Sequence, residues 1–192
     1  MLKSVLMCAA LTMVAVSPGS GQQKARRQPA SPPADTSVTI GGKTLTIKYS
    51  APSVKGRKIF GEGGRVSQDP TYPVWRLGAN AATAFHTDAD LDIGPAAGPA
   101  MGTIGLFVPK GDYTLFALVN VDPWRLIVSK ATGEWGLAYA QDQDLGRVKM
   151  DMSKPPAPIE TLKITLSGTG GNKGKLLVEW ENVVASVPFT VK

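Results

Sequence analysis

The sequence predicts an all-β fold, either a β-sandwich or a jelly-roll-like barrel of about ten short strands. Short apolar segments alternate with polar residues along most of the chain, and turn residues separate them, since 21 Gly and 15 Pro occur among 192 residues. No segment after the N-terminal region carries the apolar stripe of an amphipathic helix over about three turns. Hydrophobic residues make up 43% of the chain, which is enough to build a core.

The N-terminal region has the features of a targeting signal. A short positively charged start precedes an apolar run from Val5 to Val16, which is too short to span a bilayer. Gly19 and Gly21 then occupy the two positions that a signal peptidase requires to be small. We therefore predict a signal peptide over 1–21 and export to the periplasm or the extracellular space. Cys8 is removed with the signal, so the mature chain has no cysteine for a disulfide.

The segment 22–35 is basic and rich in Pro, and it lacks apolar periodicity, which predicts a disordered linker. Residues 36–192 form a single all-β domain in this interpretation. They contain no apolar run of membrane length, so we predict a soluble mature chain with no membrane span. The formal net charge of +6 favours anionic partners. Nucleic acid is a poor candidate, because the cations are spread along the chain without any nucleic-acid-binding motif.

Strands and turns follow one another from residue 36 onward. Apolar and polar residues alternate on both sides of Gly41-Gly42, which predicts a β-hairpin. Two strands are predicted at 83–87 and 91–93, and the segment 109–112 carries Pro and Gly where a turn between strands needs them. The other predicted strands are 103–108, 113–119, 124–129, 147–152, 161–167, 175–181 and 185–191, with a glycine-rich hairpin tip at 168–174.

Three cations share the long loop that follows the first hairpin. Lys55, Arg57 and Lys58 lie close together there. Arg and Lys side chains suit carboxylate, sulfate or phosphate groups, and Arg binds them with two-pronged geometry. The structural alternative is that these cations pair with the nearby Glu62 and Asp69 and only hold the loop in place.

A second polar and aromatic group follows, made of Trp75, Arg76 and Asn80. The face of a Trp can stack on a sugar ring or a planar ligand, while Arg and Asn hold its polar groups. The structural alternative is a core Trp, with Arg76 supporting the loop and Asn80 satisfying backbone groups at a turn. We expect Arg57, Trp75, Arg76 and Asn80 to meet in one cleft beside the sandwich. Together with Lys55 they are the candidate ligand-binding residues.

Further motif residues accompany these two groups along the chain, and the full set is Tyr49, Pro52, Lys55-Gly56-Arg57, Ile59-Phe60-Gly61, Val74-Trp75-Arg76, Gly78-Ala79-Asn80, Pro109, Gly111, Tyr113, Leu115-Phe116, Trp135-Gly136, Trp180-Glu181-Asn182 and Val187-Pro188-Phe189. The spacing of this set resembles a family of exported bacterial proteins catalogued as domain of unknown function twenty-nine-eleven. The resemblance covers nearly all of the β-domain and implies an exported protein, but it implies no reaction. The chain departs from the family at Ala81, where relatives have Glu, and at Ser129, where relatives have Asn.

Other candidate sites lack the partner residues or the residue spacing that their chemistry requires. His86 is the only histidine, and it has neither a cysteine partner nor a Gly-x-Ser-x-Gly motif, so we expect a strand histidine at or near the surface. Asp88, Asp90 and Asp92 alternate as on one face of a strand, but they lack the spacing of an EF-hand loop. A calcium site of another kind stays an alternative to a solvated acidic face. The segment 168–175 lacks the residues of a phosphate-binding loop. We predict no metal and no cofactor.

These observations predict a non-catalytic binding or accessory module for an anionic or sugar-like ligand. One alternative is an enzyme acting on a cell-envelope or carbohydrate substrate, with Glu62, Asp69 or Glu160 as general acid or base. Such an enzyme needs two facing carboxyl groups with separated pKa values, and the sequence shows no such pair. The other alternative is a structural domain without a ligand, in which the motifs serve folding alone.

Overall fold

The computed structural model describes residues 30–94, 105–133, 136 and 138–192. The predicted signal peptide and most of the predicted linker lie outside these residues. Within them the all-β prediction is confirmed, because two antiparallel sheets form a sandwich-like fold. Helical structure in this part of the chain is confined to two 3-10 turns, Val66–Gln68 and Gln141–Gln143. No helix in it is long and apolar enough to cross a membrane.

The described residues form thirteen strands, somewhat more than the number expected. In chain order they are β1 (Pro33–Ile40), β2 (Lys43–Ser50), β3 (Val74–Trp75), β4 (Thr83–Thr87), β5 (Leu91–Ile93), β6 (Leu106–Val108), β7 (Gly111–Leu118), β8 (Arg125–Ser129), β9 (Asp144–Lys149), β10 (Asp151–Ser153), β11 (Ile159–Gly170), β12 (Lys173–Glu181) and β13 (Val183–Val191). The first sheet has the order β1-β2-β4-β7-β8-β9, and β3 pairs with β7. The second has the order β11-β12-β13-β5-β6, and β10 pairs with β13.

The first hairpin forms as predicted. Gly41 and Gly42 both have positive φ, 57° and 76°, and a two-residue turn of this kind matches the twist of the flanking strands. The strand before it is longer than the pattern indicated, since β1 begins inside the segment predicted as linker, where Pro33 pairs with Ser50. Backbone pairing with β2 fixes these residues although their side chains give little periodic signal.

Three expectations about connections need correction. The predicted strand 147–152 is divided between the sheets: β9 pairs with β8 and β10 pairs with β13. Met150 lies buried between them, and its backbone N–H donates to the carbonyl of Trp124 at 2.8 Å. The predicted turn 109–112 is shorter than expected, because Pro109 and Lys110 alone connect β6 to β7, and this connection crosses from one sheet to the other. The hairpin tip is shorter than expected, because β11 extends to Gly170 and β12 begins at Lys173.

The core lies between the sheets and contains alternate residues of the strands. Leu45 and Ile47 of β2 and Leu126 of β8 are fully buried, as are Ala185 and Val187 of β13. A smaller apolar cluster covers the opposite face of the first sheet and consists of Val74, Phe116 and Ile127 with Ala82, Leu118 and Tyr139 packed on it. The first sheet is therefore covered on part of both faces.

Four aromatic rings join the long loop to both sheets. Phe60 packs edge-on against Trp75, Trp124 and Trp180, with ring centroids 5.5, 4.9 and 5.7 Å away. Trp75 and Trp180 stack at 5.7 Å with 19° between their planes. Because Trp75 belongs to β3 and Trp180 to β12, this aromatic cluster fixes the loop against both layers of the sandwich.

The backbone N–H groups along the outer edge of β11 are bonded to acceptors from β1, from β2 and from the loop that follows β2. The N–H of Ile164 donates to the Tyr49 hydroxyl at 3.0 Å, and the N–H of Leu166 donates to Thr36 Oγ1 at 3.2 Å. The N–H of Leu162 donates to the carbonyl of Pro52 at 2.9 Å. Unpaired edge groups invite pairing with other chains, so these bonds protect the second sheet.

We predict that Tyr49→Phe lowers the free energy of unfolding by about 1–2 kcal/mol, because the N–H of Ile164 loses its acceptor at a partly buried position. Urea denaturation measures the change. Tyr72→Phe is the matched control, since the side chain of Tyr72 is exposed. Equal stability of Tyr49→Phe and the control would show that the hydroxyl does not support the edge of β11.

Candidate ligand-binding cleft

All five candidate residues line one cleft, whose volume is ≈ 540 Å³. The loop after β2 contributes Lys55 and Arg57, and the segment after β3 contributes Arg76 and Asn80. Trp75 lies in the same lining. The structure thus brings these residues together in one cleft, as expected from the polar and aromatic side chains of both segments, while their binding role stays a prediction.

A tight turn presents the first of these residues. Lys55 and Gly56 have φ of 48° and 68°, and the N–H of Arg57 donates to the carbonyl of Val54 at 3.0 Å. Gly56 suits the second of these left-handed positions, whereas a side chain there would be strained. The N–H of Lys55 donates to the Glu160 carboxylate at 2.9 Å, which ties the turn to β11. The Lys55 side chain is left exposed.

Arg57 is exposed but oriented. Its Nε donates to the carbonyl of Val54 at 3.0 Å, and its Nη2 donates to the carbonyl of Ser53 at 2.6 Å. These two bonds use only part of the five N–H donors of a guanidinium. The group is therefore held in place by its own loop while donors remain for another partner.

The expected ion pairs of the loop cations with Glu62 and Asp69 do not form, although Lys58 and Arg57 do hold the loop through bonds to its carbonyls. Lys58 Nζ donates to the backbone carbonyl of Glu62 at 2.7 Å, and the Asp69 carboxylate pairs with Arg76. Among the described residues, Lys55 and Arg57 form no ion pair with a carboxylate. Their charges are therefore available to a ligand.

Sequence reasoning missed a further cation, Arg65, which is exposed and lines the same cleft. Its N–H donates to the carbonyl of Lys58 at 2.9 Å, so the loop folds back on itself. The folded loop approaches itself most closely at Gly64, where a Cβ would lie 2.5 Å from the carbonyl oxygen of Ile59. The only sequence signal was the run of glycines before Arg65, and that signal indicates a turn rather than a binding residue.

Trp75 does not offer a face for stacking. Its side chain is 2% exposed, its Nε1 donates to the carbonyl of Gly78 at 3.2 Å, and its ring is packed in the aromatic cluster. The structural alternative describes it better: Trp75 is a core residue that forms part of the cleft floor.

Arg76 acts mainly as a structural clamp. Its Nη2 pairs with the Asp69 carboxylate, and its Nη1 donates to the carbonyl of Asn80 at 3.3 Å. The side chains of the ion pair are 13% and 12% exposed. Gly136 passes so close that a Cβ there would lie 2.4 Å from Arg76 Cδ. Asp69 also accepts from the N–H and the hydroxyl of Thr71, at 3.2 and 2.9 Å, so its carboxylate is fully engaged.

Asn80 combines a backbone role with an exposed amide. Its φ is 61°, a conformation that Asn tolerates better than most residues. Its carbonyl accepts from Arg76 and from the N–H of Gly136, the latter at 3.2 Å. The Nδ2 group donates to the carbonyl of Ser31 at 3.5 Å, a long bond that leaves the amide largely free for other partners.

Backbone strain concentrates around this cleft. The non-glycine residues with positive φ in the described part of the chain are Lys55, Leu77, Asn80 and Glu181. Two of them line the cleft, and the other two directly follow lining residues in sequence. Such conformations cost about 1–3 kcal/mol each and gather at functional sites.

Two buried nitrogen donors at the cleft have no hydrogen-bond partner among the described residues. They are Arg76 Nε and Trp180 Nε1, and both residues belong to the lining. In the sequence, Trp180 stands out only as part of the closing family motif, which gives no sign of a role in a cleft.

The acids do not form a facing pair. Asp69 is the one carboxylate among the described residues that line the cleft, and it is held by Arg76. Glu160 instead accepts from the N–H of Lys55. The enzyme alternative that relied on Glu62, Asp69 or Glu160 therefore finds no second carboxyl group beside Asp69 in the described lining.

His86 lies on β4 and is exposed, in agreement with the expected strand histidine. Its Nδ1 is 2.8 Å from the Asp112 carboxylate, and its Nε2 is 3.1 Å from the Asp88 carboxylate. Both hydrogen bonds raise the pKa of His86, and the bond to Asp112 contributes more than the bond to Asp88. Because its pKa is raised, protonated His86 stabilises the folded state at pH values below the ordinary histidine pKa. This contribution is lost as the pH rises through the raised pKa. The contribution is small because the groups are exposed.

The three alternating aspartates do not share one strand face. The Asp88 carboxylate accepts from the backbone N–H of Thr44 and is bonded to His86. The Asp90 carboxylate accepts from the N–H of Lys110. Asp92 forms an ion pair with Lys192. The alternation is broken because the chain crosses between sheets after β4, and only Asp92 lies in a strand. Among the described residues there is no group of three or more His, Cys, Asp or Glu side chains placed to hold a metal ion.

A known protein family matches most of the chain. Residues 31–189 match the family described as "Protein of unknown function (DUF2911)". No curated protein and no solved structure matches the chain.

We predict that Arg76→Ala lowers the free energy of unfolding by about 3 kcal/mol, because it leaves the Asp69 carboxylate partly buried without its cation. Arg57→Ala is the matched control: Arg57 is exposed, so the loss should stay within about 1 kcal/mol. Chemical denaturation of both variants gives the comparison. Similar losses for the two variants would contradict the assignment of Arg76 as the clamp.

Proposed function

Because the chain belongs to the DUF2911 family of proteins of unknown function, its function must be inferred from the cleft, and we propose that it is a binding module for an anionic ligand. In this proposal Lys55, Arg57 and Arg65 bind the ligand without catalysing a reaction. The observation that carries the proposal is that three exposed cations line one cleft and form no ion pair among the described residues.

Electrostatics supports this assignment. The described cleft lining has four cationic side chains, Lys55, Arg57, Arg65 and Arg76, and a single carboxylate that neutralises only Arg76. Cations of one sign in a concave surface raise the local concentration of anions. Guanidinium groups bind carboxylate, sulfate or phosphate with two parallel hydrogen bonds, and Arg57 is already oriented by its loop.

The ligand class that fits best is an acidic sugar. Exposed amides of Gln68 and Asn80 share the lining with the cations, and amides can bond to hydroxyl groups that neighbour an acidic group. The described lining exposes no aromatic face, because Trp75 and Trp180 are 2% and 3% exposed. Recognition would therefore rest on charge and hydrogen bonds rather than on ring stacking.

The proposed setting is outside the cytoplasm. The N-terminal signal predicted over 1–21 supports export. The single carboxylate of the described lining, engaged by Arg76, gives no support to the alternative of acid–base catalysis in this cleft.

We predict that the protein binds oligogalacturonate and that the neutral analogue maltotriose binds far more weakly. Arg57→Ala should weaken oligogalacturonate binding about tenfold, because charge-assisted hydrogen bonds are lost. Isothermal titration calorimetry at low salt measures both affinities. Lys175→Ala is the control, since Lys175 is an exposed cation of β12 that does not line the cleft.

Equal affinity for the acidic and neutral sugars, or equal losses in the Arg57 and Lys175 variants, would contradict a specific anionic site. If no acidic sugar, inorganic phosphate or sulfate binds to the unmodified protein, the proposed function is wrong. The cleft would then be a by-product of the folding motif.

A further inference from the structure

The floor of the cleft contains donors that the fold itself does not use. Trp180 is 3% exposed, and its Nε1 has no hydrogen-bond partner among the described residues. The Nε of Arg76 is likewise buried without a partner there. Most buried N–H groups in proteins are paired, and leaving one unpaired costs about 1–3 kcal/mol.

The surrounding donors show that this part of the fold can pair such groups. The neighbouring indole of Trp75 has the same chemistry as Trp180, and it donates to the carbonyl of Gly78. The terminal nitrogens of Arg76 are also satisfied, by Asp69 and Asn80. The two unpaired atoms are thus exceptions inside an otherwise well-bonded region, and both belong to residues of the same cleft lining.

We infer that the indole N–H of Trp180 is a specificity-determining donor to an acceptor oxygen of the ligand's acidic group, with Arg76 Nε as a further unpaired donor of the same cleft lining. This inference rests on the proposed function and deepens it. Both groups are donors only, so they favour an oxygen that carries no hydrogen, such as that of a carboxylate or a phosphate.

The site then has two levels. Lys55, Arg57 and Arg65 at the exposed level attract the anion, and the buried donors select its orientation. Trp180 Nε1 is shielded from solvent. In this proposal the surrounding side chains move aside when the ligand oxygen binds. A hydrogen bond formed in such a place is stronger than one in water, because the local dielectric is low.

Indole N–H signals in a proton–nitrogen NMR spectrum test this directly. The protein contains four Trp residues, and the signal of Trp180 is identified by its loss in Trp180→Phe. On titration with D-glucuronate, and in a second arm with inorganic phosphate, we expect the Trp180 signal to shift downfield more than the other indoles. The Trp75 signal serves as the internal control, since its donor is already bonded to Gly78.

The same variant gives a second readout that does not depend on assignment. Trp180→Phe should weaken binding of D-glucuronate about tenfold, through loss of one hydrogen bond to a charged group. Trp124→Phe is the matched control, because Trp124 packs in the same aromatic cluster but does not line the cleft. If repacking of the cluster were the cause, both variants would lose affinity equally.

The outcomes separate the two proposals. Binding of either anion without movement of the Trp180 signal, or with equal losses in the Trp180 and Trp124 variants, overturns the donor role and leaves the binding function intact. Binding of neither anion to the unmodified protein overturns the donor role, and the proposed function is overturned with it when oligogalacturonate and sulfate also fail to bind. A shift produced by phosphate alone would overturn the sugar acid as the ligand of the floor and show that it takes a free inorganic anion.

Discussion

The rest of the structure depends on the edge-on packing of Phe60 against three tryptophans. The loop between β2 and β3 has little regular structure of its own, apart from one 3-10 turn. Phe60 packs its ring beside Trp75 of β3, Trp180 of β12 and Trp124, which directly precedes β8. Aromatic pairs of this kind add about 0.5–1.5 kcal/mol each beyond the burial of their area. The cluster therefore fixes an otherwise irregular loop, and with it the positions of the cations.

Within the family signature, side chains divide by burial into two roles. Tyr49 closes the edge of β11, Trp75 packs in the core and Arg76 clamps the loop through Asp69. These residues stabilise the fold without any ligand. Lys55 and Arg57 are exposed. The backbone of Lys55 is tied to Glu160 of β11, and Arg57 is oriented by bonds to carbonyls of its own loop, without an ion pair that neutralises either charge. A single motif thus contains both the scaffold and the group that the scaffold presents.

The fold class and most strand positions could be predicted because β-strands reveal themselves through local alternation of apolar and polar residues. Pairing partners depend on contacts that are distant in sequence, so the division of 147–152 between two sheets could not be predicted. The same limit applies to the site. Nothing local indicates that Asp69 pairs with Arg76 rather than with the loop cations, or that Trp75 is covered by Trp180. The convergence of the motifs was predictable from their shared polar and aromatic composition, whereas the burial of each side chain was not.

The central claim is that an anionic ligand binds in the cleft, held by the cations of the loop that Phe60 anchors. A crystal structure of the protein soaked with an acidic oligosaccharide tests this claim most directly. We expect density for an acidic group within hydrogen-bond distance of the Arg57 guanidinium. Well-defined density elsewhere, for example beside His86 on the first sheet, with an empty cleft would contradict the claim.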